Sequence, residues 1–178
     1  VDLLEISGGT YEQPRLLGVE GREADAVAVR ASTRVREAYF LAYAEAIRAV
    51  AKMPLMVTGG FRSRAGMEAA LASGALDVIG VARPLCTHPD CVRQLLERRI
   101  DRLPAYEQRL HLAAQGWRSP ASPWLALKMV NVLGAQGWYY QQIERLAQGR
   151  PAQPDRGVLR SFVRYWWDEL TRAMRLRR

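Results

Sequence analysis

Three short, largely apolar runs divide the first hundred residues of the chain. They lie in Val1–Ile6, Leu55–Val57 and Asp77–Val81, and each is followed by a turn that contains glycine or proline. Between the runs, apolar residues recur every three or four positions, from about Thr33 to Ala51 and again after Ser63, as on one face of a helix. Because the apolar runs are continuous rather than alternating, they predict strands of a parallel sheet that is buried on both faces.

The order of these elements predicts an α/β fold. A third helix is predicted from about Pro89 to Arg99, which gives three β/α units within residues 1–103. Residues 10–33 are polar and irregular and are predicted to form a long loop. Residues 104–178 contain no convincing strand pattern and are predicted to form a helical extension. Three strands make a barrel segment or an open sheet, since a complete eight-stranded β/α barrel needs about 250 residues.

Composition excludes several classes of protein. Apolar residues make up 49% of the 178 residues and charged residues 25%, as in ordinary globular domains, which argues against general disorder. The net charge is +8, and only Lys52 and Lys128 among the 26 basic residues are lysines. No apolar run approaches a transmembrane helix. Two cysteines make no disulfide framework, so a reducing cytoplasm is expected. The chain begins with Val1, inside a predicted strand, and we expect it to be the C-terminal piece of a longer protein.

Two turns carry the candidate chemistry. Thr58–Phe61 follows the second predicted strand, and Gly80–Arg83 ends the third. Ligands of parallel β/α folds bind at the carboxyl ends of the strands, where glycine lets backbone N–H groups approach an anion. The helix that begins near Ser63 is expected to direct its positive end toward the same anion, and Arg83 can donate two hydrogen bonds to a phosphate. The alternative is that Gly59 and Gly60 only form a tight turn.

Three segments of the chain resemble the old yellow enzyme family of FMN-dependent NAD(P)H:flavin oxidoreductases, also called ene-reductases. They are VDLLEISGG (1–9), PLMVTGGFR (54–62) and DVIGVARPL (77–85). The segments occur in the order and at the separations of the family, and the resemblance covers about residues 1–100. It implies the C-terminal part of a TIM (β/α)8 barrel, with these segments as its sixth, seventh and eighth strands.

The resemblance also implies roles for individual residues. Gly59 and Gly60 would donate backbone N–H groups to the FMN phosphate, Ala82 would donate its own N–H, and Arg83 its guanidinium. The Ser7–Gly9 turn would lie near the edge of the isoalloxazine ring, with Tyr11 as a candidate for lining the mouth. NADH or NADPH would reduce the flavin, which would pass hydride to a small-molecule acceptor such as an activated alkene.

The family's catalytic groups belong to segments that this sequence does not contain. Relatives supply the substrate-anchoring His/Asn or His/His pair, and often a tyrosine proton donor, from the first half of the barrel. The catalytic residues are therefore expected to lie outside this chain, which alone is expected to be inactive. No metal site is predicted: Cys86, His88 and Cys91 are too few for zinc and are interpreted as a loop. The substrate and the choice between NADH and NADPH stay open.

Two alternatives concern other classes of function. One is a phosphate-binding β/α barrel domain without redox chemistry. The other is a basic module acting through residues 150–178, where arginines accompany an apolar helical pattern and could contact a membrane surface or nucleic acid. The favoured interpretation is that the apolar face docks on the barrel or on a neighbouring subunit, so that no nucleic acid is expected. Membrane contact and a homo-oligomer both stay open. The apolar positions are Leu159, Phe162, Val163, Trp166, Leu170 and Met174.

Overall fold

A computed structural model describes residues 1–7 and 41–176 of the chain, with side chains for 1–7 and 44–175. The chain forms two compact units, whose described residues are 1–7 and 41–104 in the first and 105–176 in the second. The whole of the predicted loop 10–33 and the first part of the helix predicted from Thr33 lie outside the described residues. The same holds for Gly8, Gly9 and Tyr11, so their predicted place near a flavin ring stays a prediction.

The first unit is built on a small parallel sheet with helices, which confirms the predicted α/β class. Its three strands pair in sequence order. A single turn of 3-10 helix, Arg83–Cys86, follows the last strand. The third helix is shorter than the predicted range of 89–99. The elements are β1 (Leu4–Ser7), α1 (Leu41–Arg48), β2 (Leu55–Thr58), α2 (Arg64–Ala72), β3 (Val78–Gly80) and α3 (Cys91–Leu96).

The core of the first unit covers one face of the sheet. Leu55 and Val57 of β2 are fully buried there, together with side chains from the helices and the loops around them. The opposite face carries Glu5, Met56 and Thr58, which are exposed or half-buried within the described part of the chain. Burial on both faces, as the continuous apolar runs predict, is therefore found on one face only. The other core residues are Ala44, Phe61, Met67, Ala70, Ala75, Leu76, Cys91, Leu95 and Leu103.

Asp77 ties three elements together at the amino end of the sheet. Its Oδ2 accepts hydrogen bonds from the Leu55 backbone N–H at 2.8 Å and from the Arg48 guanidinium at 2.6 Å. Arg48 also donates through Nε to the Gly74 carbonyl at 3.0 Å. The sequence suggests a solvated carboxylate here, and Asp77 is indeed exposed. Its two partners lie more than twenty residues away along the chain, so no local pattern in the sequence predicts them.

Replacing Asp77 with asparagine is expected to destabilise the first unit at neutral pH and not in acid. The Leu55 N–H, and after it Arg48, hold the pKa of Asp77 below its ordinary value of 3.8. A carboxylate with a lowered pKa stabilises the folded state above its unfolded pKa, and this contribution disappears as the pH falls through the lower folded value. Urea unfolding at pH 7 and at progressively lower pH should show two midpoints that converge below pH 3.8. Asp2→Asn, an exposed carboxylate of the same unit, serves as the control, and equal midpoints at pH 7 would contradict the assignment.

The second unit contains two long helices, α4 (Leu125–Ala147) and α5 (Val158–Leu176), and no strand among its described residues. The helices approach closely because α4 presents Gly134 and Gly137. A Cβ atom at Gly134 would lie 2.7 Å from the Val158 carbonyl oxygen, and one at Gly137 would lie 2.7 Å from the Tyr165 Cβ. The Gln141 amide fixes the pair further, since its Nε2 donates to the Ser161 carbonyl at 3.0 Å.

Candidate functional site

The carboxyl ends of the three strands are level with one another. Ser7 of β1 pairs with Thr58 of β2, and Thr58 pairs with Gly80 of β3. Neighbouring strands lie about 4.8 Å apart in any sheet. The glycine turn after β2 and the segment after β3 therefore leave the sheet at the same edge and from adjacent strands. This is the edge at which parallel β/α folds bind their ligands.

The turn after β2 depends on its two glycines. Gly59 has φ +133° and Gly60 has φ +84°, both in the region that side chains of L-residues disfavour. Two consecutive residues of this kind bend the chain immediately after Thr58 and bring no side chain to the turn. The tight turn is thus real.

Strands β2 and β3 approach each other closely at this edge of the sheet. A Cβ atom at Gly80 would lie 1.7 Å from the Thr58 Oγ1 and 2.7 Å from the Thr58 Cβ, and the second contact cannot be relieved without movement of the backbone. The Thr58 hydroxyl donates to the Glu5 Oε1 at 2.8 Å, so that Thr58 contacts both neighbouring strands, Gly80 directly opposite and Glu5 diagonally. The sequence offers no signal for the roles of Glu5 and Thr58.

Ala82 and Arg83 lie just beyond the end of β3. Ala82 is exposed, and the half-buried Arg83 begins the turn of 3-10 helix, which the buried Pro84 anchors. Burial raises the pKa of the neighbouring Cys86 thiol, and the positive charge of Arg83 offsets only part of this effect. Cys86 is therefore a neutral thiol at neutral pH, and Arg83 contributes positive charge to this corner of the edge.

The amino end of α2 is tied to other residues of the first unit. Ser63 caps the helix as predicted, since its Oγ accepts a hydrogen bond from the Gly66 N–H at 3.1 Å. The Arg64 N–H, however, donates to the Asp101 carbonyl at 3.0 Å, and the Arg64 side chain pairs with the Asp101 carboxylate. Two of the first three amides of α2 are thus already engaged. The prediction that this helix directs its positive end toward an anion stays a prediction.

Arg62 is a feature of the edge that the sequence alone does not distinguish. It follows the glycine turn directly, and its side chain is 9% exposed. Its guanidinium donates to the Phe61 carbonyl at 2.7 Å, and its own carbonyl accepts from the Leu103 N–H at 2.7 Å. These bonds fasten the end of the glycine turn to the core. In the sequence, Arg62 is one of 24 arginines and nothing marks it as buried.

The groups collected at this edge suit anion binding rather than proton transfer. Gly59, Gly60 and Ala82 offer backbone N–H donors, and Arg83 offers a cationic guanidinium with five N–H donors. A phosphate accepts such hydrogen bonds strongly. Within residues 1–7 and 41–176, no cluster of three or more histidine, cysteine, aspartate or glutamate side chains could hold a metal ion. The four predicted residues thus share one edge, and their binding role stays a prediction.

Comparison with known proteins gives a consistent result. The chain is 36% identical over 156 residues to the NADH-dependent flavin oxidoreductase iccE of Talaromyces variabilis. That alignment covers 83% of this chain and 34% of the Talaromyces protein. It is 44% identical over 91 residues to the NADH-dependent flavin oxidoreductase iliE of Neonectria sp. (strain DH2), covering 50% of this chain and 12% of that protein. A 36% identity over 100 residues relates it to the NADH-dependent flavin oxidoreductase nadA of Aspergillus parasiticus. No protein-family profile matches the chain.

These relatives also bear on the extent of the similarity. The chain spans about a third or less of the length of the curated relatives it matches. The alignment with the Talaromyces protein covers 83% of the chain, more than the first 104 residues can provide, so it must continue into the second unit. The similarity therefore extends beyond the three segments within residues 1–100. With those segments, the matches show that the chain belongs to the old yellow enzyme-like family.

Proposed function

We propose that this chain supplies the FMN phosphate site of an NADH-dependent flavin oxidoreductase. The observation that carries the proposal is the level edge of the sheet, where Gly59, Gly60, Ala82 and Arg83 follow the paired ends of β2 and β3. Every group in this set donates hydrogen bonds, and one is a cation, as a phosphate monoester requires. The names of the matched relatives support a flavin and NADH as the reactants of the whole protein.

Each residue has a distinct part in the proposed site. Gly59 and Gly60 bring the backbone close to the phosphate, and Ala82 adds a donor from the adjacent strand. Arg83 neutralises the negative charge and fixes the orientation of the phosphate through its planar guanidinium. When bound, FMN would supply the hydride acceptor and donor that links NADH to a small-molecule substrate such as an activated alkene. The chain's own contribution is thus to anchor and orient the cofactor.

The same proposal accounts for the incomplete sheet. Residues 1–103 would be the last three β/α units of a TIM barrel, and residues 104–178 a helical extension. In support, β1 and β3 each have one unpaired edge among the described strands, and the face bearing Glu5, Met56 and Thr58 is incompletely covered. Parallel sheets are normally covered on both faces and closed or protected at their edges. The remaining strands of a barrel would pair with the two open edges and help to cover the open face.

Arg83→Ala is expected to weaken FMN binding at least about tenfold, because one charged hydrogen bond contributes roughly 1.5–3 kcal/mol. The measurement is a fluorescence titration of the full-length protein with FMN and, in parallel, with riboflavin, which lacks the phosphate. The variant should lose affinity for FMN and keep its affinity for riboflavin.

Arg93→Ala provides the matched control, since Arg93 is an exposed arginine of the same unit that pairs with Asp90. Unchanged FMN affinity in Arg83→Ala, with circular dichroism showing a folded protein, would refute the assignment of Arg83. If the purified protein showed no flavin absorbance and bound inorganic phosphate alone, the phosphate-binding domain without redox chemistry would replace the oxidoreductase.

A further inference from the structure

Helix α5 carries a stripe of exposed apolar side chains. Six residues spaced three or four apart, or directly adjacent, lie along one side of the helix. They are between 48% and 65% exposed, with the highest value at Trp167. The contacts with α4 are made by Val158, Ser161 and Tyr165, which lie on a different side. The stripe consists of Leu159, Val163, Trp166, Trp167, Leu170 and Met174.

A row of arginines borders the stripe. Arg156, Arg160 and Arg164 are four residues apart, and with Leu159, Val163 and Trp167 they line a shallow open groove. Arg156 donates to the Gln141 Oε1 at 2.6 Å, and Arg164 pairs with Asp168. The Arg160 guanidinium makes no hydrogen bond or ion pair with the residues that the structure describes.

The row concentrates positive charge. Desolvation, followed by repulsion from Arg160, Arg164 and Arg145, lowers the pKa of Arg156. Residues 150–178 carry eight arginines and three acidic residues, so they hold five of the eight net positive charges of the chain. The groove therefore combines apolar side chains with a cationic rim that few internal carboxylates neutralise.

From this geometry we propose that the stripe and its arginine row dock on the surface of an anionic lipid bilayer. Apolar side chains beside arginines, with tryptophan in the stripe, are the features of a helix that lies in the interface of a membrane. Phosphate groups of lipids would pair with the arginines while Leu159, Val163 and Trp167 enter the acyl boundary. No helix among the described residues is long and apolar enough to span a bilayer, so the contact is peripheral.

Charge complementarity favours this occupant over a second copy of the chain and over a nucleic acid. A second copy of the chain would bring the same arginines against Arg156, Arg160 and Arg164, and their repulsion would oppose pairing along the stripe. A nucleic acid would satisfy the arginines but would leave the apolar stripe in water. An anionic bilayer satisfies both parts of the surface at once.

Vesicle sedimentation of the full-length protein tests the proposal. We expect binding to phosphatidylcholine vesicles that contain roughly a third phosphatidylserine and much weaker binding to pure phosphatidylcholine, with binding reduced by salt. Arg160→Glu should weaken vesicle binding at least about fivefold. Each basic residue near an anionic membrane surface contributes about a fivefold gain in affinity, and the substitution removes one. Trp167→Ser should also weaken binding, because it removes the most exposed apolar contact.

Two matched controls separate the surface from general effects. Arg98→Glu makes the same charge change in the first unit, and Trp117→Ser removes a tryptophan that is 59% exposed elsewhere in the second unit. Both controls should bind vesicles as the unchanged protein does. Equal binding to neutral and anionic vesicles, or equal loss in Arg98→Glu and Arg160→Glu, would overturn the proposal. So would a stable dimer that Trp167→Ser dissociates and that binds no vesicles.

Discussion

Replacement of Gly80 by alanine is expected to destabilise the first unit by about 3 kcal/mol, the upper end of the usual range for overpacking. The added Cβ would lie 1.7 Å from the Thr58 Oγ1 and 2.7 Å from the Thr58 Cβ. The Thr58 hydroxyl can rotate away only by losing its hydrogen bond to Glu5. The Thr58 Cβ is fixed by the backbone of β2, so full relief requires β3 to move away from β2. That movement would carry Ala82 and Arg83 away from the glycine turn, and FMN affinity should fall together with stability.

Hydrogen exchange followed by mass spectrometry is the suitable measurement for Gly80→Ala. All five tryptophans lie beyond residue 116, so tryptophan fluorescence reports on the second unit and not on this sheet. Peptides that cover β2 and β3 should exchange faster in the variant. Gly157→Ala is the control, since a Cβ there meets no atom within 4 Å. Adding Thr58→Ala to Gly80→Ala should restore part of the protection, and no such recovery would show that the Thr58 hydroxyl is not the obstacle.

Local signals predict the elements of the first unit well. The three apolar runs identify all three strands, although their continuous pattern predicts burial on both faces and the structure shows it on one. Ser63 and Gly74 mark the two ends of α2, since a capping hydroxyl and a positive φ are properties of single residues. The glycines that form the edge are likewise visible in the sequence.

Interactions between distant residues explain what the sequence does not predict. Asp77 accepts hydrogen bonds from Leu55 and Arg48, and the Asp101 carbonyl accepts one from the Arg64 amide. These partners are distant in the sequence, so no local pattern predicts the contacts. The same limit applies to the candidate site. The sequence places the donors after two strands, but only the register of Thr58 with Gly80 brings those strand ends level.

The second unit shows how burial separates chemically similar residues. From the sequence, the aromatic residues of this region are interpreted as packing residues rather than as a platform for stacking bases. They are Trp124, Trp138, Tyr139 and Tyr140. Trp138 is fully buried against Tyr106 and Tyr139, with ring centroids 5.3 Å and 5.0 Å away, which confirms the interpretation there. Tyr140 is 55% exposed, and Trp124, just before the helix, is 61% exposed with its ring centroid 5.5 Å from that of Trp117. These two residues therefore lie outside the core of the second unit. Which side of α4 is buried depends on the close approach of α5 and the loops, which composition does not encode.

Trp138→Ala is expected to destabilise the second unit by about 3–5 kcal/mol, the cost of truncating a fully buried large aromatic side chain. The substitution would leave a cavity beside Tyr106 and Tyr139 and remove both ring contacts. Urea unfolding followed by the fluorescence of the remaining four tryptophans measures this loss in the same unit. Tyr140→Ala, two residues along the same helix, should change the midpoint little because its side chain is largely in water.

Trp138→Phe separates packing from hydrogen bonding at this position. The Trp138 Nε1 is buried and has no hydrogen-bond partner among the described residues. Trp138→Phe should therefore destabilise the second unit less than Trp138→Ala does, since phenylalanine retains an aromatic ring and removes an unsatisfied polar atom. A loss in Trp138→Phe as large as that in Trp138→Ala would show that the indole N–H makes an essential hydrogen bond. Equal midpoints for Trp138→Ala and Tyr140→Ala would contradict the placement of Trp138 in the core of the second unit.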